Sequence, residues 1–261
     1  MRIFYSEYQA QYTSYTFSYA VYCIKENDQE FPQILEKGFL PYTNDLTVKK
    51  DIFYLARSTR INLENFKDTS ENKRVNRKIE PLNIKLKVFK KSEFKIDDNF
   101  INFCVDYAGE RFAEGNMNKE RFDYIFNKSY FSHIFVFQSD DKVYGYVFVS
   151  IKDNMLHYWY SFFDTDYLRE YSLGKWMMWK TVSWAKENKL DYIYIGTAYK
   201  TKALYKIRDH KGIEFFDGLK WNSDTKLLKL LCHRDEEKLG EHDMLKNDSE
   251  KKSIFNQLLN D

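Results

Sequence analysis

The segment from Leu156 to Arg208 constrains the fold most. It opens with Leu156-His157-Tyr158-Trp159-Tyr160-Ser161-Phe162-Phe163, an aromatic run too short for an average helix and rich in strand-favouring residues. A polar turn from Asp164 to Ser172 follows, and then a stretch from Leu173 to Lys186 whose apolar residues recur at helical spacing. Ser172 is the expected N-cap. Asp191 to Gly196 reads as a second strand, and Thr201 to Arg208 as a short helix. A strand, a crossover helix and a second strand make the two strands parallel neighbours. Chemistry is then expected where the first strand ends and the helix begins, because the free amides there favour an anionic or carbonyl-bearing ligand.

With 261 residues and an aromatic share of 18%, the chain has material for one large or two small cores. No apolar run approaches the ~18 residues needed to span a bilayer. The N-terminus carries no secretory pattern, so a cytoplasmic protein with no membrane partner is expected. Cys23, Cys104 and Cys232 are too scattered for a metal or disulfide framework and read as buried thiols; no metal is expected. The net charge of +2 hides an uneven distribution. Lys49 to Lys95 holds fourteen Lys and Arg against six Asp and Glu, an excess of +8, whereas Arg234 to Asp261 stands at five against eight, −3.

From Met1 to Tyr22, tyrosines recur at spacings of three and four, which suits a helical stripe, but the interspersed Thr and Ser suit strands equally. The stretch reads either as a packing surface or as a platform on which a base or an aminoacyl side chain stacks. Phe31 to Gly38 is a short helix ended by glycine, and Asp51 to Leu63 a strand interrupted near Arg57 and Arg60. Lys67 to Lys78 is the core of the basic excess, either a solvated face or a phosphate-binding surface. Ile84 to Phe89 is a strand, Asp98 to Ala113 and Asn118 to Asn127 are helices, and Ile134 to Phe137 and Lys142 to Ile151 form a hairpin. Gly212 to Phe216 is a last strand, after which Trp221 closes the core. The charged tail carries Ile254, Phe255, Leu258 and Leu259 as a short amphipathic element.

The element order, with Arg169-x-x-Ser172-x-Gly174 before the main helix, resembles the GNAT acyltransferase fold. In that superfamily the comparable turn binds the coenzyme A pyrophosphate. Tyr160 to Asp164, Tyr167, Tyr171 to Gly174, Tyr192 to Gly196 and Lys202 to Lys206 resemble, in that order, the C-terminal domain of arginyl-tRNA-protein transferases. Leu35 to Phe39, Ala56 to Leu63 and Phe66 to Lys78 are similar to the N-terminal part of the same family. The family's paired N-terminal cysteines are missing here, Thr165 replaces a proline, and the element before Lys202 is shorter.

The resemblance implies an α+β fold, a GNAT-like mixed sheet flanked by helices with an N-terminal α/β subdomain, or a double-GNAT arrangement. The expected division is 1–95, 96–225 and a tail from 226 to 261. It implies transfer of an aminoacyl group, arginine first among them, from aminoacyl-tRNA to a protein or peptide amine, with no cofactor beyond that co-substrate. Lys202, Tyr205 and Asp164 are the catalytic candidates. Arg74, Arg77, Lys78, Trp159, Arg169, Ser172, Leu173, Gly174, Gly196, Tyr199 and Lys206 are the candidates for aminoacyl-tRNA, and Arg57 and Arg60 for the acceptor. Lys202 and Lys206, four apart, are expected on one helix face. Structural roles compete: Trp159, Trp176 and Trp179 as core, Asp164 as a turn cap, Lys202 as ordinary surface and His157 as a core histidine. A coenzyme A-dependent N-acetyltransferase is the competing enzyme, disfavoured by Ser172 at a glycine position and by the basic excess. A non-catalytic tRNA- or peptide-binding relative is the third reading.

Overall fold

The computed structural model describes residues 1–12, 16–111 and 117–237. The expected element around Ile254 to Leu259 lies outside them. In chain order come β1 (Arg2–Gln11), β2 (Thr16–Ile24), α1 (Phe31–Glu36), β3 (Phe39–Pro41), β4 (Ile52–Leu55) and β5 (Ser58–Asn62). Then follow α2 (Ser70–Ile79), β6 (Lys85–Lys90), α3 (Asp98–Arg111), α4 (Lys119–Phe126), β7 (His133–Gln138) and β8 (Val143–Lys152). The last group is β9 (Met155–Phe163), α5 (Leu173–Glu187), β10 (Tyr192–Thr197), α6 (Tyr205–Asp209), β11 (Ile213–Phe216), β12 (Trp221–Asn222) and α7 (Thr225–Glu237). The backbone divides into two compact units, one of residues 1–59, 197–205 and the described residues from 214 onward, the other of 60–196 and 206–213.

The second unit is built on the strand order β5-β10-β9-β8-β7-β6. β9 and β10 are parallel, as the helix between them requires, while β6 to β9 form an antiparallel meander. One face packs under α3 and α4 through a cluster of Phe100, Phe122, Phe126, Phe131 and Phe148 with ring centroids 4.7 to 6.1 Å apart. Each such buried ring contributes about 2 to 3 kcal/mol. The other face meets α5, where Phe137 packs on Trp176 and Phe135 on Trp184. The meander carries one irregularity: Phe148 pairs with Tyr160 and Val149 with Tyr158, leaving Trp159 as a β-bulge.

α2 was not legible as a helix, yet it is well specified. Thr69 and Asn72 form a reciprocal capping box, and Asn72, Val75 and Ile79 make its buried face. That face lies against α5, where the Trp176 and Trp179 indoles donate to Asn76 Oδ1 (3.0 Å) and Asp68 Oδ1 (2.8 Å).

In the first unit the strand order is β1-β2-β4-β3. The tyrosine-rich N-terminus is the β1/β2 hairpin, so the strand alternative holds. Phe4, Tyr22 and Tyr42 cover Ile24, Val48 and Ile52 on one side of this sheet. Gly38 has φ +83° and leaves no room for a Cβ, which would sit 2.4 Å from the Phe216 ring. α7 extends into the stretch expected as a charged tail and buries Leu228 and Cys232. Trp221 is half-buried rather than enclosed and donates from its indole to the Glu36 carbonyl at 2.7 Å. Cys23, Cys104 and Cys232 are buried free thiols. Among the described residues no helix is long and apolar enough to cross a membrane.

Candidate functional site

The β9–α5 turn is held by Asp164. Its N–H donates to the Tyr144 carbonyl (2.9 Å), and its carboxylate accepts the Asp166 N–H (3.0 Å) and pairs with Lys142 Nζ at 2.7 Å. Lys142 also lies 4.7 Å from the centroid of the Tyr167 ring, and the pairing with Asp164 raises its pKa. These contacts make Asp164 the anchor of the turn.

Ser172 occupies the N-cap position of α5, but with φ 55° and ψ 44°, in the left-handed region, and its side chain caps no amide. The expected side-chain cap is therefore absent. The left-handed bend aligns the position with a glycine of the acyltransferase pattern, and among the described residues the first-turn amides receive no side-chain cap from it. Leu173 is fully buried and fixes the helix start. Gly174 faces the Phe163 ring so closely that a Cβ would lie 2.5 Å from it.

α2 lies beside this helix start. Lys78 Nζ donates to the Glu170 carbonyl in the turn at 3.0 Å. Lys73, Arg74, Arg77 and Lys78 are all exposed, and so is Arg169 in the turn. The fold thus brings Lys78 of α2 within hydrogen-bond reach of the turn that carries Arg169 and Ser172. Glu71 clamps the pair of helices: it accepts from Arg74 at 2.7 and 2.8 Å and from Lys175 at 2.8 Å. These donors, Arg74 first, hold its carboxyl down at about 2. Lys175 also lies 3.4 Å from the fully buried Asp209, which pairs with Arg208. Glu71, Lys175 and Asp209 escaped the sequence reading; the one available signal was an acid inside a basic run.

The register of β9 and β10 ends at Tyr194↔His157, although β9 continues to Phe163. Past that point the Ile195 carbonyl is satisfied by Lys206 Nζ at 2.7 Å. Lys206 is 6% exposed, so it supports the strand end and is not available to tRNA, a correction to its expected role. Gly196 has φ +83° and lies next to that ammonium. Arg60 is corrected likewise: it is 5% exposed and stacks 3.8 Å from the Tyr192 ring centroid, since it lies within β5 and not at a break. Trp159 is half-buried against Tyr130 and Phe131. His157 is enclosed, and burial pushes its pKa down to about 3.

In the first unit, Arg57 pairs with Asp235 at 2.7 Å and lies over the Tyr199 ring, whose hydroxyl accepts the Arg57 N–H at 2.8 Å. Asp235 and Glu236 of α7 also accept the Lys200 and Thr201 amides, both at 3.0 Å. Lys202 is exposed on a 3-10 turn (Thr201–Leu204), and Tyr205 is half-buried. With Lys202 exposed and Lys206 buried, the expected common face is not formed, because a 3-10 turn replaces the first α-turn.

Residues 128–206 match the model of the acetyltransferase (GNAT) domain. The fold is of that type, an α+β GNAT-like domain with a mixed sheet flanked by helices. No curated protein is matched. Among solved structures, L-PGS from Bacillus licheniformis is 10% identical with a TM-score of 0.41, covering 67% of this chain and 51% of its own. The C-terminal domain of a putative lysylphosphatidylglycerol synthetase from Agrobacterium fabrum is 13% identical with a TM-score of 0.43, covering 68% and 53%. An aminoglycoside acetyltransferase from an uncultured soil metagenomic sample, solved with sisomicin, is 14% identical with a TM-score of 0.35, covering 50% and 86%. The chain spans about half the length of the first two.

Proposed function

We propose that the chain moves an aminoacyl group, arginine in the first instance, from tRNA to the amino group of a protein or peptide. One observation supports this reading over other acyl donors: the exposed basic row of α2 lies alongside the α5 start, with Lys78 bonded to the turn itself. An acyl-transfer turn serving a small donor has no use for an adjoining helix of four exposed cations, whereas a tRNA acceptor end extends phosphates across such a surface.

In this reading Arg74, Arg77, Lys78 and Arg169 hold phosphates, and the amides from Ser172 to Gly174 face the 3′-terminal adenosine or its ester. Leu173, Gly174 and Gly196 act by shaping backbone, and Trp159 and Tyr199 present ring surface. Lys202 and Tyr205 meet the tRNA end or the acceptor carboxylate. The acceptor nitrogen attacks the ester carbonyl, the oxyanion collapses, the bond to the ribose oxygen breaks, and the amine proton ends on that oxygen. An α-amino group titrates near 7.7 to 8, so much of it is neutral at physiological pH. The proposed setting is the cytoplasm.

The second reading, a coenzyme A-dependent N-acetyltransferase, is favoured by the domain match over 128–206. Incubating the protein with radiolabelled aminoacyl-tRNAs and peptides of varied N-terminus decides between them. Label in peptide supports aminoacyl transfer. Acetylation of those peptides from acetyl-coenzyme A, without aminoacyl transfer, replaces it with the second reading, and inactivity in both assays overturns catalysis.

A further inference from the structure

The β1/β2 hairpin is not fully integrated in its sheet. β2 pairs with β4 only over Tyr22, Cys23 and Ile24, so from Val21 back to Thr16 its one strand neighbour among the described residues is β1. β1 in turn is the edge of the sheet along its whole length. The outer part of the hairpin is therefore a two-stranded arm, an arrangement only marginally stable in water unless something packs on it.

The arm carries an exposed face that is apolar except for Glu7. Ile3, Tyr5, Phe17 and Tyr19 share one side of the ribbon, as the pairs Tyr5↔Val21, Glu7↔Tyr19 and Ala10↔Phe17 require, and are 40%, 65%, 46% and 58% exposed. Tyr12, 75% exposed, continues the face by packing edge-on to Phe17 at 5.4 Å. Rings of this size at about half exposure present roughly 500 Å² of apolar surface, before the open backbone edge is added. A standard protein interface takes about 800 Å² from each partner, and tyrosine is enriched at such interfaces.

Charge decides which partner fits. Between Arg2 and Val21 the only charged residues are Arg2 and Glu7, in a chain that is 31% charged. A neutral arm lacks the cations by which a nucleic acid is held, so its tyrosines are not a base-stacking platform. Depletion of charge around aromatic residues is the mark of an interface core. β1 also lacks the lysines and prolines with which natural edge strands block pairing to another sheet.

We infer that the arm is a self-association surface: β1 pairs antiparallel with β1 of a second copy, joining two four-stranded sheets about a two-fold axis, so that the exposed Ile3 and Tyr5 side chains of the two β1 strands become cross-strand neighbours. The inference is independent of the proposed activity.

Sedimentation equilibrium of the full chain tests it. The expected result is a dimer with a micromolar or tighter dissociation constant, weakened roughly thirty-fold or more by Y5K or I3K, as for a residue near an interface centre. Both positions are exposed, so the variants are expected to keep the wild-type circular dichroism spectrum. Amide exchange of the wild-type protein gives a second readout needing no variant. In the dimer, amides on both edges of β1 are protected, and dilution below the dissociation constant releases only those facing away from β2. A monomer at concentrations up to about 100 μM overturns the inference, given what an interface of this size supplies. So does a dimer indifferent to both variants, or association seen only with tRNA present.

Discussion

Lys78 and Glu170 are ninety-two positions apart, yet the Lys78 ammonium donates to the Glu170 carbonyl across 3.0 Å. That contact ties the basic helix to the turn that starts α5. If the cations of α2 hold tRNA phosphates, replacing Arg74, Arg77 and Lys78 together by alanine weakens binding and lowers the salt dependence. Each lost phosphate contact reduces the slope of log K against log salt by about 0.7 to 0.9. Filter binding at several salt concentrations measures both, and an unchanged slope would falsify the assignment.

Gly174 has no space for a side chain. G174A drives a methyl group into the Phe163 ring, which is itself packed on Tyr107 at 4.7 Å. A loss of about 1 to 3 kcal/mol is expected, as for overpacked sites, with displacement of the first turn of α5. Urea denaturation checks the stability. Transfer activity falls with it if the turn binds the donor.

Glu71 gives the clamp an acid limit. Its folded pKa of about 2 lies below the ordinary glutamate range, so its stabilisation is complete above that range and is lost as the pH falls towards 2. After allowance for partial solvent screening, E71Q costs about 1 to 2 kcal/mol at neutral pH. The gap between wild type and variant narrows below about pH 4.5 and closes only below the folded value. Denaturation midpoints at pH 7 and pH 3 show it.

His157 and His210 act in the same direction at higher pH. Burial pushes them down to about 3 and about 4, so both are neutral in the folded chain and protonate on unfolding below about 6.5. Stability is full above that value and declines as the pH falls from 6.5 towards 4, by up to about 1.4 kcal/mol per pH unit for each histidine. Melting temperatures at pH 7.5, 6 and 5 are expected to decrease in that order, and H210Q to flatten the decline.

Lys206 separates support from substrate contact. K206M removes the donor to the Ile195 carbonyl and is expected to cost about 1 to 3 kcal/mol. Its tRNA salt slope should match wild type, since a buried ammonium neutralises no phosphate. A reduced slope would return Lys206 to the binding surface.

The acyltransferase core was legible because its signals are local. The aromatic run of β9, the helical period of α5 and the strand from Tyr192 to Gly196 each declare themselves within a dozen residues, and their order dictates parallel pairing. α2 was not, because its charges outnumber its apolar residues and the capping box uses Asn72 where glutamate or glutamine is usual. The spacing of Asn72, Val75 and Ile79 was the available clue. The left-handed Ser172 had no signal in its own residue type, since that conformation is ordinarily signalled by glycine or asparagine, and only its place at a glycine of the acyltransferase pattern hinted at it. Lys202 and Lys206 were grouped by a period that a 3-10 turn does not obey, and burial of Arg60 and Lys206 depends on strands distant in the chain.

The bulge at Trp159 acts as a phase shift. Before it, Leu156 and Tyr158 stand opposite Ile151 and Val149; after it, Tyr160 and Phe162 stand opposite Phe148 and Tyr146. The even-numbered side chains of one strand therefore serve opposite layers of the molecule on either side of a single residue. Were the intact strand paired without the bulge, Trp159 would stand opposite Phe148 and Phe162 opposite Gly145, away from the phenylalanine cluster that holds α3 and α4. At this position the length of the chain carries as much structural information as the identity of the residue.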